Sequence, residues 1–276
     1  MPETVPSRGL DPLGFIEREG SHARVPHVFR PVVAAARDRL LDVFGARLDS
    51  AYLYGSIPRG TARVGRSDLD LLAVLRAEPT DADRTAADAL AEAVDKEFPE
   101  IDGVGILLDS RERLLSEDER YDGGWFVACL CTPLLGEDLA ELLPRYRPDS
   151  LLARETNGDL AGLLPRWRER IAAAGDTEEA LRPLVRFMSR RLVRTAFTLV
   201  MPRWNGWTSD LHEMADAFAG YYPERAEQLR RAAESGYEPV GDRVVLRSYV
   251  DDLGPWLATE YARVHGVKAR RPEGSA

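Results

Sequence analysis

The sequence predicts an α/β domain over residues 1–145, followed by an α-helical domain over residues 146–276. Two observations carry that reading. Short apolar runs at 51–54, 68–75 and 104–108 alternate with loops and one long amphipathic helix, which is the rhythm of an α/β layer. Beyond residue 145 the apolar spacing is helical throughout, with Gly175, Pro202, Gly206, Pro223 and Gly236 in the connections. A composition of 276 residues, 44% hydrophobic and 30% charged, supports both units without covalent staples.

Taken in order, residues 1–27 mix Pro, Gly and charge without periodicity and read as a loosely ordered lead-in. Val32, Val33, Ala36, Leu40, Leu41 and Phe44 mark one face of a helix over 29–44. Ala51–Tyr54 reads as a strand ending at Gly55, and the Gly- and Arg-containing stretch 55–67 as a loop. Asp68–Leu75 reads as a buried strand, and Asp81–Phe98 as a helix whose acidic first turn suits its dipole. Val104–Leu108 is a third strand, and Ser110 caps a short helix over 112–115. Trp125–Thr132 is predicted as a further strand, ended by Pro133. Helices are predicted over 165–173, 178–201, 209–219, 224–235 and 249–265, the last either broken or begun at Gly254-Pro255. The tail from Lys268 reads as frayed.

Charge is uneven. Residues 1–145 carry 17 Lys/Arg and 27 Asp/Glu, a net of −10, and the remainder carries 20 and 19, a net of +1. No basic stripe tracks a nucleic-acid backbone, so a nucleic-acid partner is not expected. No run approaches the ~18 apolar residues of a membrane span, and the N-terminus has no signal pattern, so no membrane partner is expected and the expected compartment is a reducing cytoplasm. Thirty-five of the 37 basic residues are Arg, which reads as a GC-rich bacterial coding sequence. Cys129 and Cys131 are two apart with no His nearby, and read as buried thiols rather than metal ligands.

The chemistry-bearing stretch is Gly55-Ser56 and then, after 11 intervening residues, Asp68-Leu69-Asp70. Residues two apart on a strand face the same way, so both carboxylates share a face while Leu69 turns to the core. Two adjacent carboxylates repel, and a divalent cation removes the conflict. Mg²⁺ takes oxygen ligands, usually one or two carboxylates plus substrate phosphates. Gly55 and Ser56 offer backbone N–H groups and a hydroxyl, and Arg59, Arg63 and Arg66 offer guanidinium groups, to phosphate oxygens. The combination points to metal-assisted phosphoryl transfer.

This constellation, GSIPRGTARVGRSDLDLL with Arg59-Gly60 and Ser67-Asp68, resembles the DNA-polymerase-β-type nucleotidyltransferase superfamily. The likeness is strong over 50–75 and fair to about 145, with Leu134–Leu139 similar to the strand and turn that close such domains. Within the superfamily the chain looks most like aminoglycoside adenylyltransferases of the streptomycin/spectinomycin type, through a weak echo at 207–234. The resemblance implies a mixed-sheet nucleotidyltransferase domain and a C-terminal helical bundle on the substrate side. It implies that Gly55, Ser56, Arg59, Arg66 and Ser67 hold ATP or another nucleoside triphosphate. It implies that Asp68 and Asp70 bind two Mg²⁺ ions. A hydroxyl of a small, possibly cationic acceptor, such as an aminoglycoside in antibiotic resistance, would receive NMP as pyrophosphate leaves.

Family members place a third carboxylate on the next strand, and here that slot falls on Gly105, between Val104 and Ile106. Asp102 and Asp109 flank the strand, seven apart and therefore of opposite parity. Asp102 is the preferred base, reached through a bulge at Gly103; Asp109 has the right parity but lies at the far end; Glu155, Asp210 and Glu213 are alternatives from the helical half. Trp204 and Trp207 read either as an acceptor clasp or as a packed turn. Arg186, Arg190, Arg191 and Arg194 read either as phosphate contacts or as structural links. Two other functions stay open: a catalytically degenerate nucleotide-binding or regulatory protein, favoured by the empty slot, and an adenylyltransferase acting on a protein.

Overall fold

The structure, a computed structural model, describes residues 8–268. It divides into two compact units: Glu17–Tyr146, and a second that joins the described residues up to Ile16 with those from Arg147 onward.

The first unit is built on a four-stranded mixed sheet in the order β3-β2-β1-β4, with β1 over Leu48–Tyr54, β2 over Leu69–Leu75, β3 over Val104–Ser110 and β4 over Thr132–Gly136. β1 is antiparallel to both β2 and β4, and β2 is parallel to β3. The parallel pair needs a crossover, which helix α3 (Asp81–Glu97) supplies. The odd-numbered residues Leu69, Leu71, Ala73 and Leu75 bury against α1 (Arg30–Phe44) and α3, in a core with Val32, Ala36, Leu40, Leu90 and Val94. The even-numbered residues Leu72 and Val74 join Tyr52, Val127, Cys131 and Leu139 on the other face. Both faces are therefore occupied by apolar packing along most of the sheet.

Short helices fill the turns. α2 (Ser56–Arg59) follows β1 directly, and α4 (Arg111–Leu114) is capped by the Ser110 hydroxyl, which accepts from the Arg113 N–H. The predicted strand over 125–132 is instead helix α5 (Gly123–Leu130), and the strand begins only at Thr132. The six-residue run WFVACL is apolar enough to suit either element, and length alone does not separate them. Gly124 suits the tight start of α5, since a Cβ there would stand 3.1 Å from Leu143 Cδ2 and 3.2 Å from the Glu119 carbonyl. Pro133, expected to end a strand, lies inside β4, the edge strand, where its missing N–H is tolerated.

Residues 8–28 are not a loose lead-in. Leu10 and Ile16 form a bridge, and Asp11 closes that turn by accepting from the N–H groups of Leu13 and Phe15, both at 2.9 Å. Two 3-10 turns, His22–Arg24 and His27–Phe29, lead into α1.

The second unit contains α6 (Ser150–Asn157), α7 (Leu160–Ala173), α8 (Glu178–Trp204), α9 (Leu211–Ala219), α10 (Ala226–Tyr237), α11 (Arg243–Ser248) and α12 (Gly254–His265). α8 is its axis, ending with Asn205 in the left-handed region at φ 54°. α6 and α11 were not expected from the sequence. α12 begins at Gly254-Pro255 after one π turn over Tyr249–Leu253, so those two residues start the helix rather than break it. The tail beyond Lys268 lies outside the described residues. No described helix is long and apolar enough to cross a membrane.

Candidate active site

The site is organised by Asp70. In the sheet register Tyr54 of β1 lies beside Asp70 of β2, which lies beside Gly105 of β3. Asp70 therefore has a strand end with a glycine next to it on one side, Gly55, and a glycine on the other, Gly105. A Cβ on Gly55 would stand only 2.3 Å from Asp70 Oδ2, and Gly55 has φ +81°. Both the space and the backbone demand glycine there. A Cβ on Gly105 would stand 3.5 Å from Asp70 Oδ1, an ordinary contact, and Gly105 needs no unusual φ. A Cβ on Gly103, whose φ is +138°, would stand 3.6 Å from Asp68 Oδ1. Gly103 and Gly105 are two apart, so Asp68 and Asp70 turn their carboxylates to one face, while Leu69 between them is fully buried. Both aspartates are partly exposed.

The loop that precedes them is held by its own side chains. The Ser67 hydroxyl accepts from the Arg63 N–H at 2.9 Å, and the Ser67 carbonyl accepts from the Asp102 N–H at 3.1 Å. That second bond, with the Leu69 N–H donating to the Gly103 carbonyl at 2.9 Å, ties the start of β3 to the start of β2. Gly103, at φ +138°, lies just before β3 rather than within it, so the expected bulge is not in the strand, and Asp102 is an exposed residue immediately before it. Ser56 opens α2, and its carbonyl accepts from the Thr61 N–H at 3.0 Å. Arg66 is exposed in the turn, whereas Arg59 Nη1 lies 3.6 Å from Glu19 Oε2.

That last contact reveals residues the sequence reading passed over. Glu19, Gly20 and Ser21 brace α2 from outside. The Ser21 N–H donates to the Pro58 carbonyl at 3.0 Å, and a Cβ on Gly20 would stand 2.5 Å from Thr132 Oγ1 and 2.9 Å from Pro58 Cβ. The available signal was an acid placed before a Gly-Ser pair, upstream of an arginine-bearing turn. Tyr54, immediately before Gly55, has the parity of Tyr52, and its ring meets Phe126 of α5 edge-on at 5.0 Å.

The other candidate acids each have local partners. Asp109 pairs with Val74, four register steps from Gly105, and burial raises its carboxyl above the ordinary range while the Ser110 N–H donates to it at 2.8 Å. In the second unit Asp210 caps α9, accepting from the N–H groups of His212 and Glu213 at 2.9 Å each. Glu155 pairs with Arg154 at 2.7 Å, and Glu213 accepts from the Thr208 hydroxyl at 2.6 Å. Arg190 donates to the Gly236 carbonyl at 2.8 Å and Arg191 pairs with Asp159, so both link elements of their own unit. Trp204 and Trp207 each meet Phe197 edge-on, at 5.5 and 5.7 Å, with the Arg8 guanidinium 5.0 Å above Trp204: a packed turn.

The donors present suit a hard divalent cation: two carboxylates on one face, one of them seated over a glycine that has no room for a side chain. Among the described residues no cluster of three or more His, Cys, Asp or Glu could hold a metal ion.

No family model matches the sequence, and no curated protein sequence matches it significantly. Among solved structures, the chain is similar to the crystal structure of spectinomycin adenyltransferase AAD(9) from Enterococcus faecialis with ATP and spectinomycin. The TM-score is 0.52 at 16% identity, over 83% of this chain and 98% of that one. At that identity the likeness is one of fold. The protein has an α/β nucleotidyltransferase fold with a helical C-terminal region.

Proposed function

We propose that this protein is a nucleotidyltransferase that moves NMP, with AMP from ATP as the leading case, to a hydroxyl of a small molecule. The observation that carries the reading is Asp70 held between Gly55 and Gly105, with Asp68 on the same face and the Gly55-Ser56 turn beside them. The neighbour whose fold it shares was crystallised with ATP and spectinomycin, which supports a hydroxylated, cationic acceptor.

In this reading Asp68 and Asp70 hold two Mg²⁺ ions, which supply charge neutralisation and orientation of the triphosphate. The Gly55 backbone and Ser56 receive the terminal phosphates, and Arg66 lies in the same loop. Ser67 keeps that loop closed, and Arg59, paired with Glu19, positions α2. The acceptor oxygen bonds to the α-phosphorus, the bond to the β-phosphate oxygen breaks, and pyrophosphate leaves. Asp102 is assigned the acceptor's proton. Asp102→Asn should lower kcat about a hundredfold without changing nucleotide affinity.

The first test is calorimetry with a non-hydrolysable ATP analogue, with and without Mg²⁺, on the wild type and on Asp68→Asn/Asp70→Asn. The expected result is Mg²⁺-dependent binding that the double variant loses. Pyrophosphate release with spectinomycin or streptomycin then tests the acceptor. Binding without release for any hydroxylated acceptor would favour the second reading, a nucleotide-binding regulator, which glycine rather than a carboxylate at position 105 supports. No Mg²⁺-dependent binding by the wild type would overturn the transferase reading and leave the non-enzymatic one.

A further inference from the structure

The helical unit brings a hydroxyl and an imidazole together at the ends of two helices. Ser150 is the first residue of α6, and His265 is the last residue of α12. Ser150 Oγ lies 2.6 Å from His265 Nδ1, and His265 Nε2 lies 2.9 Å from the Leu199 carbonyl of α8. A carbonyl oxygen can only accept, so Nε2 carries the ring proton. Burial chiefly, with the Arg203 charge acting the same way, holds this imidazole below its ordinary range, so the ring is neutral at pH 7. Nδ1 is then an acceptor, and the Ser150 hydroxyl donates to it. Ser150 is exposed, whereas His265 is half-buried. The geometry is set by three helices. Tyr261 of α12 meets the His265 ring edge-on at 5.2 Å, and its hydroxyl donates to the Ala153 carbonyl of α6. The same hydroxyl lies 3.0 Å from Thr198 Oγ1 of α8, to which Asn157 Nδ2 of α6 donates at 3.1 Å. Pro202, inside α8, has no N–H for the Thr198 carbonyl and loosens the helix beside Leu199.

We propose that Ser150 is a nucleophile toward carboxylic esters, with His265 Nδ1 as its general base and the Leu199 carbonyl fixing the tautomer. A hydroxyl, a base within hydrogen-bond reach and a group that orients the base are the parts such catalysis needs. Helix polarity suits the charges that develop. Attack places negative charge on the ester carbonyl oxygen and positive charge on the imidazole. Ser150 stands at the positive end of α6, where first-turn N–H groups have no intrahelical partner. Asp149 takes that of Leu152 at 2.8 Å, and those of Ser150 and Leu151 precede it in the same turn. His265 stands at the negative end of α12, which favours the imidazolium. Ser150 Oγ bonds to the carbonyl carbon as its proton passes to Nδ1. The bond to the leaving alkoxide breaks, and Nδ1 returns the proton to that oxygen. Water, deprotonated by Nδ1, then attacks the acyl carbon, and Ser150 Oγ leaves with the proton. The net reaction is ester and water to acid and alcohol. All the groups lie in the helical unit, so the proposal does not rest on the nucleotidyltransferase reading.

Two probes test it on the intact chain: a biotinylated fluorophosphonate, which loses fluoride as a serine oxygen bonds to its phosphorus, and p-nitrophenyl acetate. The wild type should take up one phosphonate per chain, and peptide mass mapping should place it on Ser150. Ser150→Ala should take up none. His265→Gln should label about a hundredfold more slowly, and both variants should release p-nitrophenol about a hundredfold more slowly than the wild type. Circular dichroism and melting check that each variant is folded. Ser150 is exposed and tolerates alanine, so if His265→Gln does not fold, the label map of the wild type and the Ser150→Ala rates decide. A hydrogen bond that only ties α6 to α12 would leave Ser150 no more reactive than the other serines. No label on the native wild type, label spread over several serines, a folded His265→Gln that labels at the wild-type rate, or equal p-nitrophenol release by the wild type and Ser150→Ala each overturns the proposal.

Discussion

A single oxygen decides the identity of residue 55. Asp70 Oδ2 occupies the volume where any L side chain at that position would begin, and the backbone there is already in the left-handed region. Gly55→Ala adds strain to a clash, so it should cost about 1–3 kcal/mol and displace the Asp70 carboxylate. The expected outcome is a lower melting temperature together with loss of Mg²⁺-dependent nucleotide binding, whereas Gly105→Ala leaves melting unchanged. Equal effects of the two substitutions would show that Asp70 Oδ2 does not occupy the space a side chain at residue 55 needs. The spacing of Gly55, Ser56, Asp68 and Asp70 was legible because strand parity needs only the sequence. Which glycine the fold requires was not, because φ and the position of a neighbouring carboxylate come from pairing across the sheet. Cys129 and Cys131 show the reverse case, in which chemistry is suppressed by position. Burial pushes the Cys129 thiol up to about 12 and raises Cys131 well above its ordinary value, so neither is a thiolate at neutral pH. A thiol reagent such as DTNB should label neither cysteine in the native protein at pH 8, and both after unfolding.

Among the elements, α3 was read correctly because its signals are local. Thr80 and Asp83 form a reciprocal cap: the Asp83 N–H donates to the Thr80 hydroxyl oxygen at 3.3 Å, and the Thr80 N–H donates to Asp83 Oδ2 at 2.8 Å. Asp83 is buried and also paired with Arg47, and chiefly that hydrogen bond, then the Thr80 hydroxyl, hold its carboxyl well below the usual carboxylate range. A depressed native pKa gives stability that is present above the unfolded value, about 3.9, and is lost as pH falls below it. The melting advantage of the wild type over Asp83→Asn should therefore be full at pH 7 and shrink steadily below pH 4. A difference independent of pH would assign the effect to packing rather than charge. Thr80→Ala should cost about 1 kcal/mol at pH 7 and less below pH 4, because the Thr80 hydroxyl also holds the ionised Asp83 carboxyl. α5 failed as a sequence reading for a non-local reason. From Trp125 to Cys131 buried and half-buried residues alternate, which imitates a strand. What makes the segment helical is its seat against Tyr54, Leu139 and Leu143, none of which is visible in the run itself.

At the scale of the whole chain, the domain division is discontinuous in sequence. Residues 8–16 belong with the helical unit, and the sheet unit runs without interruption from Glu17 to Tyr146. The sequence hid this because residues 8–16 carry no periodicity; their order comes from what they touch. The Trp207 N–H donates to the Arg8 carbonyl at 2.7 Å, and Arg8 Nη1 donates to the Trp204 carbonyl at 2.6 Å. Gly9, at φ +65°, lies so close that a Cβ would stand 2.4 Å from the Trp207 carbonyl. The Arg147 guanidinium lies 4.0 Å above the Phe15 ring. Trp207 is itself buried, so an N–H left without its acceptor there costs about 1–3 kcal/mol. Deleting residues 1–16 should therefore destabilise the helical unit selectively. Amides around Phe197–Leu211 should exchange hydrogen faster, while those of β1 and β2 keep their protection, and the fragment 17–146 should unfold cooperatively on its own. Gly9→Ala in the intact chain should reproduce the local loss through one methyl group. Unchanged exchange at Trp207 in both variants would mean that the segment merely lies on the helices, and that the sheet unit and the helical unit are each complete without it.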